Sequence, residues 1–332
     1  MKFWKYLGLR LLSYVMVIWI GVTFIFFVPR FFPSDPVEAM IGRMSVQSGT
    51  MNPLQVEAMR KQLRTQFGLE GTLWEQYTHF IKNAVFHFDF GPSLLNYPTP
   101  VKELIGRFMP YTVGLTVFTT VIAWIAGNFI GLLAGFRKNK TYSKILEGIA
   151  ITIYPIPYFI VALVLQILFC YVWRIFPLST TIMTSGGTWA FLKSLVYNST
   201  LPAISLLLVG TGWWIISMKA ISSATAQEDF VLYARFRGLS EGKIGRSYVF
   251  RNSILSQITA LAMSLGGVFN GALMTEVIFS YPGVGKLMQN AILQSDYNLI
   301  MGTITISIIA ISTATLVADL IYPFIDPRIR YS

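Results

Sequence analysis

Long windows without any charged residue constrain this sequence more than any other feature. A charged side chain at the centre of a bilayer costs about 2.5 to 3.5 kcal/mol, and about 20 apolar residues cross the hydrocarbon core. One uncharged window, 175–192, is rich in Pro, Ser, Thr and Gly, so we predict a loop there. The other six predict an all-α membrane protein with six transmembrane helices: 11–29, 108–136, 148–173, 194–218, 252–275 and 297–318.

The composition agrees with this class. Of the 332 residues, 54% are hydrophobic and 12% are charged, whereas about a quarter are charged in a typical soluble protein. A net charge of +11 is compatible with nucleic-acid binding, but the basic residues lie beside the apolar windows, so we expect no nucleic-acid partner. One cysteine, Cys170, excludes an internal disulfide and a cysteine metal cluster, and we assign it to packing.

The distribution of Lys and Arg predicts the orientation, since short cytoplasmic loops are enriched in both. We expect both termini to be cytoplasmic and residues 30–107 to lie on the outer side of the membrane. The basic residues on the predicted inner side are Lys2, Lys5, Arg10, Arg137, Lys138, Lys140, Lys144 and six between Lys219 and Arg251. Those on the outer side are Arg174, Lys193 and Lys286.

This topology divides the chain into four predicted parts. They are the N-terminus with the first helix (1–29), an extracytoplasmic cap domain (30–107), a membrane core (108–323) and a cytoplasmic tail (324–332). The first window resembles a signal peptide in length, but Val28-Pro29-Arg30 is not a small-residue cleavage pattern, so we expect it to stay as a helix.

The cap domain has its own helix signals. Asn52-Pro53 predicts a helix start, and the helix should end near Gly68. Thr72 and Glu75 have the spacing of a capping box, in which each side chain satisfies a backbone donor of the other residue. His79 and His87 lie here without metal-ligand spacing, and we assign them to packing or solvent.

Within the membrane windows, glycines indicate positions of close helix packing, and polar residues indicate candidates for lining a path. Gly127, Gly131 and Gly135 recur every four residues, as do Gly267 and Gly271, which favours close approach of helices. Pro155 and Pro157 predict a kink in the third window. Candidates for lining a path are Asn128, Gln166 and Asn270, although each amide is equally suited to bonding a neighbouring helix.

The most charged stretch between two apolar windows is Thr225–Asn252, which we call the corner loop. Thr225 and Glu228 have capping-box spacing, so we predict a helix over 226–237. Gly238 would then end that helix in the left-handed conformation, and Ser240 would cap a second helix. Large aromatic residues close to this corner predict a docking surface for another protein. They are Phe230, Tyr233 and Phe236.

The chain lacks the sequence motif of a nucleotide-binding site, so we do not expect it to hydrolyse ATP itself. A phosphate-binding loop has Gly, four residues, and then Gly-Lys followed by Ser or Thr. At Gly285-Lys286 the first glycine is replaced by Ser280, and at Gly242-Lys243 it is replaced by Arg237. No series of acidic residues crosses the windows, which argues against a proton-coupled pump.

The motifs of the corner loop resemble those of permease subunits of bacterial ABC importers of the oligopeptide, dipeptide and nickel family. They are Asp229-Phe230-Val231, Ala234-Arg235, Gly238-Leu239-Ser240 and Arg251-Asn252. Further similar motifs are Phe67-Gly68-Leu69, Phe90-Gly91-Pro92-Ser93, the run from Val277 to Gly285, Asp296-Tyr297 and the ending Asp326–Arg330, so the resemblance covers nearly the whole chain. Two departures are Phe236-Arg237-Gly238, where the family has Ala-Lys-Gly, and Ser256, near the usual position of a proline.

The resemblance implies a type I ABC importer permease in the cell membrane of a bacterium or archaeon. Residues 108–323 would form its permease core, and the chain would bind no cofactor itself. Its expected partners are a second permease, two ATPase subunits carrying ATP and Mg, an extracytoplasmic solute-binding protein and the bilayer. The family transports peptides, but also oligosaccharides, nickel chelates or glutathione. A membrane scaffold or receptor is a more distant alternative. The residues expected to couple to the ATPase are Glu228, Asp229, Phe230, Ala234, Arg235, Phe236, Arg237, Gly238, Leu239 and Ser240.

Overall fold

The computed structural model of the protein describes residues 2–31, 35, 37–38, 40–42, 45, 52–137, 140–182, 187–267 and 273–325. Across these ranges the chain is helical, and its strand-like pairing is one isolated bridge between Pro92 and Pro100. The predicted C-terminal motif from Asp326 and the path candidate Asn270 lie outside the described residues.

The first part of the chain contains one long helix, two shorter ones and a second long helix. They are α1 (Lys2–Phe27), which continues as a 3₁₀ turn (Val28–Phe31), α2 (Pro53–Gln66), α3 (Leu73–Ile81), which continues as a π-helical segment (Lys82–His87), and α4 (Val101–Phe136). The second long helix therefore begins before the predicted boundary at residue 108.

The remaining helices alternate between long and short. They are α5 (Thr141–Ile153), α6 (Tyr158–Gln166) with a π segment (Ile167–Val172), α7 (Gly187–Thr225), α8 (Asp229–Phe236), α9 (Glu241–Ile244) with a π segment (Gly245–Phe250), α10 (Arg251–Gly266), α11 (Leu273–Ile278), α12 (Val284–Leu293) and α13 (Tyr297–Ile325). The window 175–192 is partly helical, because α7 already begins at Gly187.

Four of the described helices are long and apolar enough to cross a membrane: α1, α4, α7 and α13. The third predicted window forms α5 and α6, which meet at an angle of 90° and together make a possible fifth span. The break falls at Pro155 and Pro157, so the predicted kink is confirmed. The fifth window contains α10 and α11, with residues 268–272 outside the description, and the count of six spans stays a prediction.

Contacts divide the chain into two compact units. The first contains Phe3–Tyr111 and Gly283–Leu316, and the second contains Thr112–Pro282 and the residues from Val317 on.

In the first unit, the predicted helix signals of the cap region are confirmed. Asn52 caps α2 by accepting a hydrogen bond from the Leu54 N–H, and Gly68 follows that helix with φ +63°. Thr72 and Glu75 form the reciprocal capping box at the start of α3. The Thr72 backbone N–H and then its hydroxyl group lower the pKa of Glu75, because both hydrogen bonds favour the ionised carboxylate.

In the second unit, α4 and α7 approach closely along the predicted glycine repeat. A Cβ atom on Gly127 would lie 2.3 Å from Trp214 Cβ, and one on Gly131 would lie 2.6 Å from the Ile215 carbonyl oxygen. A Cβ atom on Gly135 would lie 2.0 Å from Oγ of Ser222. Since real Cβ contacts are far longer, only glycine fits at these three positions, and the predicted close helix approach is confirmed. We call this contact the glycine seam.

Candidate docking loop and membrane cavity

The first helix of the corner loop begins at Asp229, later than the predicted start at residue 226. Thr225 is the last residue of α7 and not the cap of a new helix, so the predicted capping box with Glu228 is wrong. The cause is that α7 continues for 39 residues, and the Thr225 hydroxyl group instead accepts a hydrogen bond from Ser253 at 3.2 Å. Helix α8 starts at Asp229 after an extended Glu228.

The glycine corner has the predicted conformation. Gly238 has φ +72°, and the Leu239 N–H donates to the Ala234 carbonyl group at 3.3 Å, as at a left-handed helix end. A Cβ atom on Gly238 would meet nothing within 4 Å, so the constraint at this position comes from the backbone alone. Ser240 precedes α9 with cap-like φ and ψ, but its side chain makes no capping bond.

One side of the corner loop is buried within the chain. Val231 and Ala234 of α8 are 0% and 2% exposed, and they pack with Ile244 and Val249. Phe136, at the end of α4, contacts the same cluster. Ala234, which the sequence placed among the coupling residues, therefore packs α8 against the end of α4 and does not belong to the exposed surface.

The other side of α8 presents large aromatic side chains to solvent. Phe236 is 76% exposed, Tyr233 is 66% exposed and Phe230 is 39% exposed. Arg235 pairs across the corner with Glu241 at 3.1 Å. The structure thus places the predicted aromatic group on one helix face, beside charged residues. The other predicted coupling residues on the exposed side are Glu228, Asp229, Arg237, Gly238 and Ser240, while Leu239 is half-buried against the cluster.

The structure places the two described path candidates, Asn128 and Gln166, in separate hydrogen bonds. Asn128 is 3% exposed, and its side-chain NH₂ group donates to the Trp124 carbonyl oxygen one turn earlier in α4. The Gln166 NH₂ group donates to the Ile278 carbonyl oxygen at 2.7 Å, which holds the end of α11 against α6. Gln166 therefore bonds a neighbouring helix, as in the alternative interpretation, whereas Asn128 bonds within its own helix.

A cavity of about 310 Å³ in the second unit is the better candidate for a path. Its lining combines hydroxyl groups with aromatic rings and glycines from α4, α6, α7 and α10. The hydroxyl groups of Thr116 and Thr119 donate to carbonyl oxygens of α4 itself. The oxygen atom of Thr119 can also accept a hydrogen bond. The sequence signal for this cavity is the set Thr116, Thr119 and Thr120, which share one helix face. Other lining residues are Tyr158, Trp213, Ser264 and Gly267.

The corner loop and most of this cavity fall within one family match. The model for binding-protein-dependent transport system inner membrane components matches residues 127–331. The chain belongs to this family. It is accordingly a multi-pass permease component of an ABC importer, as the resemblance of its motifs predicted.

Three related proteins align with nearly the whole length of this permease. It is 27% identical to the dipeptide transport system permease protein of Escherichia coli strain K12, over 97% of this chain and 98% of the relative. It is 29% identical to the oligopeptide transport system permease protein of Bacillus subtilis strain 168, over 94% and 95%. It is 26% identical to the glutathione transport system permease protein of Shigella boydii serotype 4, over 98% and 99%.

Two carboxylates of this permease are fully buried and hydrogen-bonded, and the sequence analysis did not predict this. Glu276 in α11 is 0% exposed and accepts a hydrogen bond from Thr112 at 2.7 Å. Asp296 is also 0% exposed and accepts hydrogen bonds from the Ser93 hydroxyl group at 2.5 Å and the Leu95 N–H at 2.9 Å. An acidic residue beside a long apolar window is the signal that would have found both.

Proposed function

We propose that this permease forms, with a second similar permease, a membrane path for short peptides. Two ATPase subunits bind ATP and Mg and drive the cycle, while an extracytoplasmic solute-binding protein delivers the peptide. In this arrangement the corner loop and both termini are cytoplasmic and the cap region is outside, as the distribution of Lys and Arg predicts. The chain itself binds no nucleotide.

The main support for this proposal is that the corner loop has one buried side and one exposed aromatic side. Its buried side fixes α8 to the end of α4 through Ala234 and Phe136. On its exposed side, Phe236 has 76% of its surface open, beside the left-handed turn at Gly238. An anchored helix with exposed aromatic groups next to charges has the composition of a protein-interface anchor.

The glycine seam supports a route by which movement of the loop reaches the membrane. Helix α7 has 39 residues and is therefore about 58 Å long, enough to cross the membrane and continue to the corner loop. Since Gly131 leaves no free space against Ile215, α4 and α7 move as a pair. Lys219 of α7 also pairs with Glu147 of α5, so a displaced α7 carries α5 with it.

The substrate class follows from the relatives and from the cavity. The three relatives above are named for dipeptide, oligopeptide and glutathione transport, and each of these solutes contains amide groups. The cavity beside Thr119 and Trp213 offers a hydroxyl acceptor and aromatic surfaces. Such a lining contacts peptide N–H groups and varied side chains without selecting one sequence. We assign selection to the binding protein.

The decisive experiment removes one aromatic anchor. Loss of a buried aromatic anchor from an interface commonly costs about 2 kcal/mol or more, which is about thirtyfold in affinity. We expect Phe236→Ala to release the ATPase subunits from the purified complex and to abolish transport of a labelled peptide in proteoliposomes. Gly238→Val should act similarly, because a β-branched residue resists positive φ.

The matched control is Phe86→Ala in the cap region. Phe86 is 75% exposed, almost the same as Phe236, so both changes remove an equally exposed ring. We expect Phe86→Ala to retain the ATPase subunits. Full ATPase retention and wild-type transport in Phe236→Ala and Gly238→Val would show that the corner loop does not couple the subunits.

A further inference from the structure

A second cavity, of about 240 Å³, lies in the first unit at the end of α1. It is bounded by the 3₁₀ turn that contains Arg30, by the loop between α2 and α3, and by the start of α13. Its volume is slightly below the range of about 300 to 1,000 Å³ that is usual for ligand pockets. A ligand of the size of an amino acid or a dipeptide is therefore the largest that it holds without expansion.

Arg30 is a half-buried positive charge in the wall of this cavity. One of its NH groups donates to the Phe26 carbonyl oxygen at 2.6 Å, another donates to Gln76 Oε1 at 3.0 Å, and the guanidinium lies 3.5 Å from the centre of the Phe26 ring. These two bonds use two of its five N–H donors. Among the described residues Arg30 forms no ion pair. A partly buried guanidinium that has no carboxylate within ion-pair distance favours an anionic ligand.

Gln76 holds Arg30 in position. Its NH₂ group donates to the Leu69 carbonyl oxygen at 3.1 Å and to the Gly71 carbonyl oxygen at 3.3 Å. These two bonds fix which end of the amide faces the arginine, so the Gln76 oxygen accepts from Arg30. The guanidinium is thereby held before any ligand arrives, which reduces the entropy lost on binding.

Three phenylalanine rings and one acidic side chain also line the cavity, together with polar groups such as His79 and Asn83. Phe67 and Phe90 are buried and Phe80 is half-buried, and all three line the cavity. Asp89 is exposed and also lines it. A carboxylate in the same cavity as an arginine matches a ligand that carries both an ammonium group and an anionic group.

We propose that this cavity binds a small zwitterion, with its anionic group on Arg30, its ammonium group on Asp89 and an apolar body against the phenylalanine rings. Two sources provide this chemistry: a free dipeptide and the headgroup of phosphatidylethanolamine. The dipeptide source rests on the proposed function, whereas the site itself does not. Binding is measured without transport, so failure of one proposal is distinguishable from failure of the other.

The test uses the full-length permease, with the subunits that co-purify with it, in nanodiscs of phosphatidylcholine. Calorimetric titration with leucyl-leucine should show binding, and the C-terminal amide of that dipeptide should bind at least about tenfold more weakly. Arg30→Gln should weaken binding about tenfold or more, since a charge-assisted hydrogen bond contributes about 1.5 to 3 kcal/mol. Gln76→Glu should have a similar effect, because its carboxylate neutralises Arg30 and because residue 76 loses the NH₂ donor to the Leu69 and Gly71 carbonyl groups.

The matched control is Arg107→Gln, which removes an exposed arginine that pairs with Glu103 in α4. It should bind leucyl-leucine like the wild type. Nanodiscs that also contain phosphatidylethanolamine distinguish the two sources: retention of this lipid by the wild type and its loss in Arg30→Gln, with no dipeptide binding, would assign the site to the headgroup. The proposal is overturned if neither ligand binds, or if Arg30→Gln and Gln76→Glu bind them as well as Arg107→Gln does.

Discussion

The glycine seam allows a sharp test of how α4 and α7 pack. In Gly131→Ala, the new Cβ atom would lie 2.6 Å from the Ile215 carbonyl oxygen, 2.8 Å from Met218 Cβ and 3.2 Å from Ile215 Cα. All three atoms belong to the backbone or are attached directly to it, so no side-chain rotation removes the clash. The two helices must separate by several tenths of an ångström, which also loosens the neighbouring contacts.

The same helix provides the control. Gly114 also lies within α4, but a Cβ atom there would meet nothing within 4 Å. Both substitutions gain the same stability from replacing glycine within a helix, about 0.5 to 1 kcal/mol, and this gain cancels when the variants are compared. Overpacking typically costs about 1 to 3 kcal/mol. We therefore expect Gly131→Ala to be less stable than Gly114→Ala by about 1 to 3 kcal/mol.

Reversible unfolding of the purified chain in mixed detergent micelles measures this difference directly. Peptide transport in proteoliposomes then shows whether a looser seam also uncouples movement of the corner loop from the membrane helices. Equal free energies of unfolding for Gly131→Ala and Gly114→Ala would refute the close packing of the seam. The route from the corner loop into the membrane would then lose its physical basis.

Three further changes test other parts of the permease. Asp296→Asn places an NH₂ group or a neutral oxygen against buried donors such as Ser93, and should destabilise the first unit by about 1 to 3 kcal/mol, measurable by limited proteolysis. The lowered pKa of Glu75 stabilises the start of α3 at neutral pH, and this contribution is lost as the pH falls through the folded-state pKa. Hydrogen exchange near Thr72 should therefore reveal more frequent opening at low pH, after correction for intrinsic rates, and Glu75→Gln should abolish that change. Ser240→Cys, in a chain without its native cysteine, should be labelled from the cytoplasmic side alone, and labelling from outside would reverse the proposed topology.

Features that depend on a few neighbouring residues could be predicted from the sequence. The capping box of Thr72 and Glu75, the left-handed turn at Gly238 and the break at Pro155 are set by backbone geometry within one or two helical turns. The repeat that includes Gly131 predicted a close helix contact, because small residues at this spacing let helix backbones approach each other. The motifs of the corner loop also identified the family.

Features that depend on distant residues could not be predicted. The sequence shows the glycine repeat but not that α7 is its partner, and it shows a capping pattern at Thr225 but not that α7 continues through it. Ala234 belongs to a coupling motif, yet its contact with the end of α4 decides that it is buried. The position of Arg30 in a cavity likewise depends on Gln76, 46 residues later. Local propensity determined where helices begin and bend, whereas packing between segments far apart in sequence decided which faces are buried and which remain open for a partner or a ligand.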